Sequence, residues 1–240
     1  RHARQAMISK LLSVHVSGKA MIFVPSIPIG EELRQALAGL GHDLPFYHGR
    51  LEPPHRRESL LKQFTGEQQP EVNRIICTNA FGMGLDVPNV RLVIHYQHPA
   101  SVEDYLQEFG RAGRDGKPSL AVLLVGTNDR GLLEFMASKT VEQAKRSSEE
   151  AARLLAAKHA SIGHMSEMAR PRSQCFRKSL RGYFEGNSVA HRSSLVMKII
   201  AWLFSSQSKV TRLGFCCDYC SGASMSTFER IASKVLRPSR

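Results

Sequence analysis

The sequence predicts an α/β fold in its first half: a parallel sheet flanked by helices over residues 18–130. Three observations carry this. Short apolar runs recur at intervals, each bounded by a breaker or a turn residue. Helix-period segments lie between those runs, as right-handed crossovers between parallel strands require. The runs are continuous and do not alternate, which is the pattern of strands buried on both faces.

The elements follow in order. Ala20 to Val24 is a strand ending at Pro25. Glu31 to Leu40 places Leu33, Leu37 and Leu40 at helical spacing, and Gly41 stops the helix. Arg56 to Phe64 puts Leu60, Leu61 and Phe64 on one face of a second helix. Strands follow at Arg74 to Cys77 and Arg91 to Tyr96, then a helix from Val102 to Phe109 and a last strand from Leu120 to Val125. Ligands in such sheets sit outside the carboxyl ends of the strands, and the sharpest motifs are expected there. Residues 131–168 read as helical, and the tail from 223 to 240 holds one short amphipathic segment.

Composition bounds the function. The 240 residues carry 33 Lys+Arg against 21 Asp+Glu, a net charge of +12. Residues 1–130 hold 15 basic and 13 acidic side chains, a net of +2, which leaves 18 and 8, a net of +10, for residues 131–240. A basic half of this kind suits a polyanion such as nucleic acid, and is equally what a solvated basic surface looks like. The longest apolar stretch, Leu195 to Phe204, is interrupted by Lys198 and falls short of the roughly 20 residues a membrane span needs, so no membrane partner is expected. No signal peptide is visible. With no initiator Met, the chain reads as a piece of a longer protein. Five cysteines make no secreted disulfide framework, and the crowding of Cys216, Cys217 and Cys220 suits metal chemistry.

Two segments carry phosphate chemistry. Gln107 to Gly116 interleaves Arg111 and Arg114 with glycines directly after a helix. Glycine lets backbone approach a ligand, and paired guanidiniums suit bidentate phosphate binding. A Gly-rich turn with surface arginines has the same spelling. Cys77 to Asp86 follows a strand and is rich in small residues, so its amides and the Thr78 hydroxyl could cradle a phosphate, or its glycines could serve packing alone.

Together these segments resemble motifs V and VI of the superfamily 2 helicases, in the wording of the RecQ family of DNA helicases. The resemblance runs through Phe81 to Asp86, Pro88 to Arg91, Ile94-His95-Tyr96 and Gln107 to Gly116. Tyr47-His48-Gly49-Arg50-Leu51 is similar to another block of that family, with Arg50 in place of its usual glycine, and Ala20 to Pro25 occupies the place of motif IV.

The resemblance implies a RecA-like lobe that binds ATP with Mg²⁺ against a second lobe. It implies Arg114 as arginine finger, Arg111 as its phosphate-contacting companion, and Gln107 reaching the nucleotide. Gly84 and Asp86 would face the nucleotide. Thr78, Asn79 and His48 would grip DNA, with Arg177 and Lys178, in a basic run from Arg170 to Arg181, adding phosphate contacts. The implied protein is an intracellular 3′–5′ DNA helicase of DNA repair and recombination.

The implied first lobe is not in this chain. No Gly-x-x-x-x-Gly-Lys-Ser/Thr occurs in the 240 residues, so the chain alone is expected not to hydrolyse ATP. Residues 1–17 are read as a linker or the end of that other lobe. The alternative function is a non-catalytic nucleic-acid-binding fragment, or a decayed helicase paralogue.

Residues 131–222 are read as a small, mainly helical zinc-binding subdomain. Cys175 with its following basic and aromatic residues resembles the family's first Zn²⁺ ligand segment, and Cys217-Asp218-Tyr219-Cys220 resembles the last two. Gly214 stands where the family has a third cysteine, and Cys216 is the nearby substitute. Residues 188–212 lengthen the usual spacing, as either an inserted helix or translated non-coding sequence.

Overall fold

The computed structural model describes residues 1–14, 17–81, 86–144, 147–170 and 175–186. Helix α1 (His2–Val14) is followed by β1 (Lys19–Phe23), α2 (Ile27–Gly39), β2 (Phe46–Tyr47) and α3 (Pro54–Thr65). Then come β3 (Arg74–Cys77), β4 (Val90–His95), α4 (Val102–Phe109) and β5 (Leu120–Leu123). Three helices end the described chain: α5 (Asp129–Gln143), α6 (Ser148–Ala169) and α7 (Phe176–Gly186).

All five strands are parallel, in the order β2-β3-β1-β4-β5. This is the expected α/β sheet, with β2 added. Two residues after Pro45 carry no periodicity, so β2 leaves no signature of its own; it pairs Phe46 with Ile76 and Tyr47 with Cys77.

The central strand sorts its side chains onto two cores. Ala20 and Ile22 of β1 join Leu33 and Leu37 of α2 on one face, while Met21 and Phe23 join Leu60 and Phe64 of α3 and Phe81 on the other. β1 is therefore buried at every position, which is why its apolar run does not alternate. Helix α2 begins four residues before the expected start at Glu31. Pro28 lies in its first turn, where a missing N–H costs nothing, and Gly30 lets the helix approach the sheet: a Cβ there would stand 2.2 Å from the Phe46 ring.

The larger departure is α1. Residues 1–17, read as a linker or the end of another lobe, contain a helix whose Ile8 and Leu12 are fully buried against the first core of this one. Arg4 pairs with Asp129 of α5 at 2.5 Å and lies over the Tyr96 ring, 5.1 Å from its centroid. The reason is physical: the outer face of β1 and β4 needs a second helix beside α2, and α1 supplies it.

A third cluster joins Val102, Tyr105 and Leu106 of α4 to Met165 and Met168 of α6 and Leu180 of α7. Helix α6 opens with a capping box between Ser147 and Glu150. The Tyr183 hydroxyl of α7 donates to Glu103 of α4 at 3.1 Å, and burial together with that carboxylate pushes its pKa up to about 12. Among the described residues no helix is long and apolar enough to cross a membrane. The region 188–212, the tail 223–240 and the segment holding the expected zinc ligands Cys216, Cys217 and Cys220 lie outside the described residues.

Candidate functional site

The expected site residues divide between the two ends of the sheet, which corrects the expectation that all would lie beyond the carboxyl ends. At the carboxyl edge, Thr78 follows β3 and His48 follows β2. The Thr78 amide donates to the Tyr47 carbonyl at 3.1 Å, so the two strand ends are stitched together there. Thr78 is buried and Asn79 exposed. His48 is half-buried, tilted on Phe46 at 4.8 Å, and burial holds its imidazole below the ordinary 6.5, with Glu31 opposing. It is therefore mainly neutral at pH 7 and can offer a hydrogen bond but little charge.

The Gly110–Gly116 segment lies elsewhere. It starts where Glu108 of α4 meets His95, the last residue of β4, at 3.0 Å. It ends where the Gly113 amide donates to the Val90 carbonyl, at the first residue of β4, at 3.0 Å. The arginine segment thus runs down the sheet from the carboxyl to the amino end of one strand. The 78–88 connection also runs between these ends, because it must carry the chain from the end of β3 to the start of β4. The two segments converge where Arg114 Nη1 donates to Asp86 Oδ1 at 3.2 Å.

Local chemistry fixes this turn. Gly113 has φ +66°, and a Cβ there would stand 2.6 Å from Ser119 Oγ and 3.0 Å from the Lys117 carbonyl. Asp115 takes the Arg91 guanidinium, and Arg91 Nη1 also reaches the Lys117 and Pro118 carbonyls at 3.4 Å. Burial opposes ionisation of Asp115, but the Lys117 amide and Arg91 outweigh it and hold its carboxyl below the ordinary 3.8. Arg91 and Asp115 stand inside the quoted motifs, yet their pairing across 24 positions has no signature in spacing.

Arg114 is exposed, and its partner Asp86 has a side chain 80% exposed. Such a pair is worth about 1 kcal/mol or less, so a phosphate can compete for the guanidinium. Arg111 is half-buried, and burial lowers its pKa, with Arg114 adding to the effect and Cys77 and Glu108 opposing it. Burial pushes the Cys77 thiol far up, so it is uncharged at neutral pH. Gln107 is exposed one residue before Glu108.

Two guanidiniums on one segment are suited to bidentate binding of phosphate oxygens. Gly84 lies outside the described residues.

The other expected residues sit apart from this strip, on α7. Lys178 is exposed and Arg177 half-exposed, while Arg181 pairs with Glu185 at 2.6 Å and Arg170 with Glu167 at 3.0 Å. Of the expected zinc ligands only Cys175 is described; Cys216, Cys217 and Cys220 lie outside the described residues. Among the described residues no group of three metal-binding side chains comes together.

The helicase conserved C-terminal domain family matches residues 3–116, from within α1 to the end of the arginine turn. The chain is 36% identical over 152 residues to the ATP-dependent DNA helicase RecQ of Synechocystis, covering 60% of this chain and 31% of that protein. Residues 3–116 belong to the helicase C-terminal domains, in their RecQ-like form. This RecQ-like domain is also 40% identical over 133 residues to the probable ATP-dependent DNA helicase RecS of Bacillus subtilis, covering 54% of this chain and 26% of that one. Among solved structures, the E. coli DEAD-box protein SrmB overlaps 54% of this chain and 74% of its own, at 27% identity and a TM-score of 0.46. The chain spans about a third or less of the length of the RecQ and RecS proteins it matches.

Proposed function

We propose that this chain is the second motor lobe of a RecQ-like, ATP-dependent 3′–5′ DNA helicase. The observation that carries the proposal is the convergence of Arg114 on Asp86 at 3.2 Å, beside Arg111, in a domain of the helicase C-terminal family. In this reading ATP with Mg²⁺ binds between this lobe and one bearing the Gly-x-x-x-x-Gly-Lys-Ser/Thr loop.

Mechanism follows from the side chains present. Arg114 leaves its weak exposed partner Asp86 and stabilises the charge that develops on the transferred phosphoryl group. Arg111, half-buried and close enough to Arg114 to feel its charge, contributes a second guanidinium. In this reading Gln107 and Asp86 face the nucleotide, and a part for Gly84 rests on the sequence alone. At the opposite sheet edge Thr78, Asn79 and His48 hold the DNA backbone, and Arg177 and Lys178 add phosphate contacts from α7. The relatives' names support DNA as the nucleic acid. Zn²⁺ on Cys175, Cys216, Cys217 and Cys220 is part of the same proposal and rests on the sequence alone.

The test is Arg114→Ala in a protein that includes the lobe with the phosphate loop. DNA-stimulated ATP turnover should fall by roughly 10³-fold or more, the scale of an arginine finger, with single-strand DNA affinity within about two-fold. Normal turnover would overturn the assignment.

A further inference from the structure

The amino end of β4 holds a guanidinium too buried to serve a ligand: the Arg91 side chain is 6% exposed. Each of its nitrogens has an acceptor. Nε donates to Asn89 Oδ1 at 3.2 Å, and Nη1 reaches the Val90, Lys117 and Pro118 carbonyls, each at 3.4 Å. Nη2 donates to Asp115 Oδ2. The surroundings are shaped for the stem as well. Gly18 has φ +73°, and a Cβ there would stand 2.4 Å from Arg91 Cγ and 2.7 Å from the Asn89 carbonyl. Asn89 itself has φ +65°, a left-handed conformation that asparagine tolerates better than most residues. One side chain thus joins the turn entering β4 to residues 115–118 of the arginine turn.

Arg114 stands between two anchors on that strand. On one side the Gly113 amide donates to the Val90 carbonyl at 3.0 Å; on the other, Asp115 is held by Arg91. Both anchors belong to the first two residues of β4, which is buried at all six positions. The Arg114 side chain takes its direction from the same turn: Nε donates to the Gly110 carbonyl at 3.2 Å, and Nη1 to Asp86 Oδ1 at 3.2 Å. A planar guanidinium can hold a carboxylate and two carbonyls at once, which a single point charge cannot. Without Arg91, the described hydrogen bonds left to residues 115–117 are internal to the turn: the Gly116 amide to the Gly113 carbonyl at 2.9 Å, and the Lys117 amide to Asp115 Oδ1 at 3.2 Å.

We propose that Arg91 is a positioning residue for Arg114: it fixes the backbone that follows Arg114 to β4, and so sets where the Arg114 guanidinium stands during phosphoryl transfer. This rests on the reading of Arg114 as an arginine finger, and the experiment separates the two. In the protein carrying both lobes, wild type must hydrolyse ATP and Arg114→Ala must lose roughly 10³-fold; otherwise that reading fails, and this one with it.

With those results in hand, Arg91→Met keeps the stem over Gly18 and removes every donor. Its kcat should fall about 10- to 100-fold, the scale of a displaced catalytic group, with KM for ATP within about two-fold. Because Arg91 acts through Arg114, adding Arg91→Met to Arg114→Ala should lower the residual turnover by no more than about three-fold. A loss arising elsewhere in the lobe would instead multiply the two effects. Thermal melting sets an assay temperature at which every variant is folded. Wild-type kcat in Arg91→Met, or a double variant about 10-fold or more below Arg114→Ala, overturns the proposal. If Arg91→Met does not fold, Arg91→Lys decides. One ammonium can neutralise Asp115 but cannot also hold both carbonyls, so kcat should fall about 3- to 10-fold with KM unchanged, and a wild-type kcat overturns the proposal.

Discussion

Replacing Arg4 with alanine tests whether α1 is an integral part of this lobe. Arg4 Nη2 donates to both oxygens of Asp129, at 2.7 and 2.5 Å, and the two side chains are 17% and 6% exposed. Asp129 has one further donor, the Gly126 amide at 2.8 Å. Removing one member of a buried pair costs about 3–5 kcal/mol, because the other charge is left uncompensated. The Gly126 amide remains, which places the loss near the low end, about 3 kcal/mol. Loss of the Arg4 contact with the Tyr96 ring adds about 0.5–1 kcal/mol. A chain of this size shifts about 2–4 °C per kcal/mol, so the melting temperature should fall by roughly 7–15 °C. Circular dichroism at 222 nm on the chain measures it. A second change, Asp129→Asn in the Arg4→Ala background, removes the orphaned charge while keeping an acceptor for Gly126, and should recover at least half the loss. A shift below about 2 °C for Arg4→Ala would refute the reasoning that this pair ties α1 to the lobe.

Two further outcomes follow from the arginine turn. Gly113→Ala puts a Cβ against Ser119 Oγ and the Lys117 carbonyl at a φ of +66°, so denaturant titration should show a loss of about 2 kcal/mol, and ATP turnover of the two-lobe protein should fall with it because Arg114 is displaced. Asp115 has its carboxyl held below the ordinary value, so its contribution to stability is present above the unfolded pKa and is lost as pH falls through the folded one. Urea titrations should therefore find Asp115→Asn less stable than wild type at pH 7, with the gap closing below about pH 4; a gap constant across that range would exclude the Asp115–Arg91 contact as its source.

Most of the sheet is legible in the sequence because burial on both faces writes itself as uninterrupted apolar runs: β1, β3 and β4 are found where Ala20–Val24, Arg74–Cys77 and Arg91–Tyr96 suggest, and β5, where only Val122 is buried, falls within the run Leu120–Val125. Helix α4 matches residue for residue, since Val102, Tyr105 and Leu106 face the third cluster at helical spacing behind a Ser101 cap. Helix α1 escapes the sequence for a physical reason. Its apolar Ala3, Ala6, Met7, Ile8, Leu11, Leu12 and Val14 are spread around the helix and form no single dominant stripe, so the helical period is weak in the sequence. The start of α2 escapes it because Pro28 and Gly30 are breakers in most contexts, and only the tertiary contact with Phe46 shows why they are tolerated. At the site, the family wording names Arg111, Arg114 and Thr78. It does not place them on different ends of the sheet, because that depends on which way the connecting segments run.

That placement matters for how a lobe of this kind could work. The proposed DNA contacts, Thr78 and His48, stand at the carboxyl edge, and the proposed nucleotide contacts, Arg114 and Asp86, meet at the amino end of β4. Two covalent paths join these ends across the sheet: residues 78–88, and the segment from Glu108 to Arg114. Both are anchored to β4, the first by entering it at Val90, the second by His95 at one end and Val90 at the other. A strand buried at all six of its positions cannot stretch or slide without disturbing two cores. Any shift that a phosphate imposes on Arg114 is therefore resisted along β4 and must be taken up in the segments crossing it.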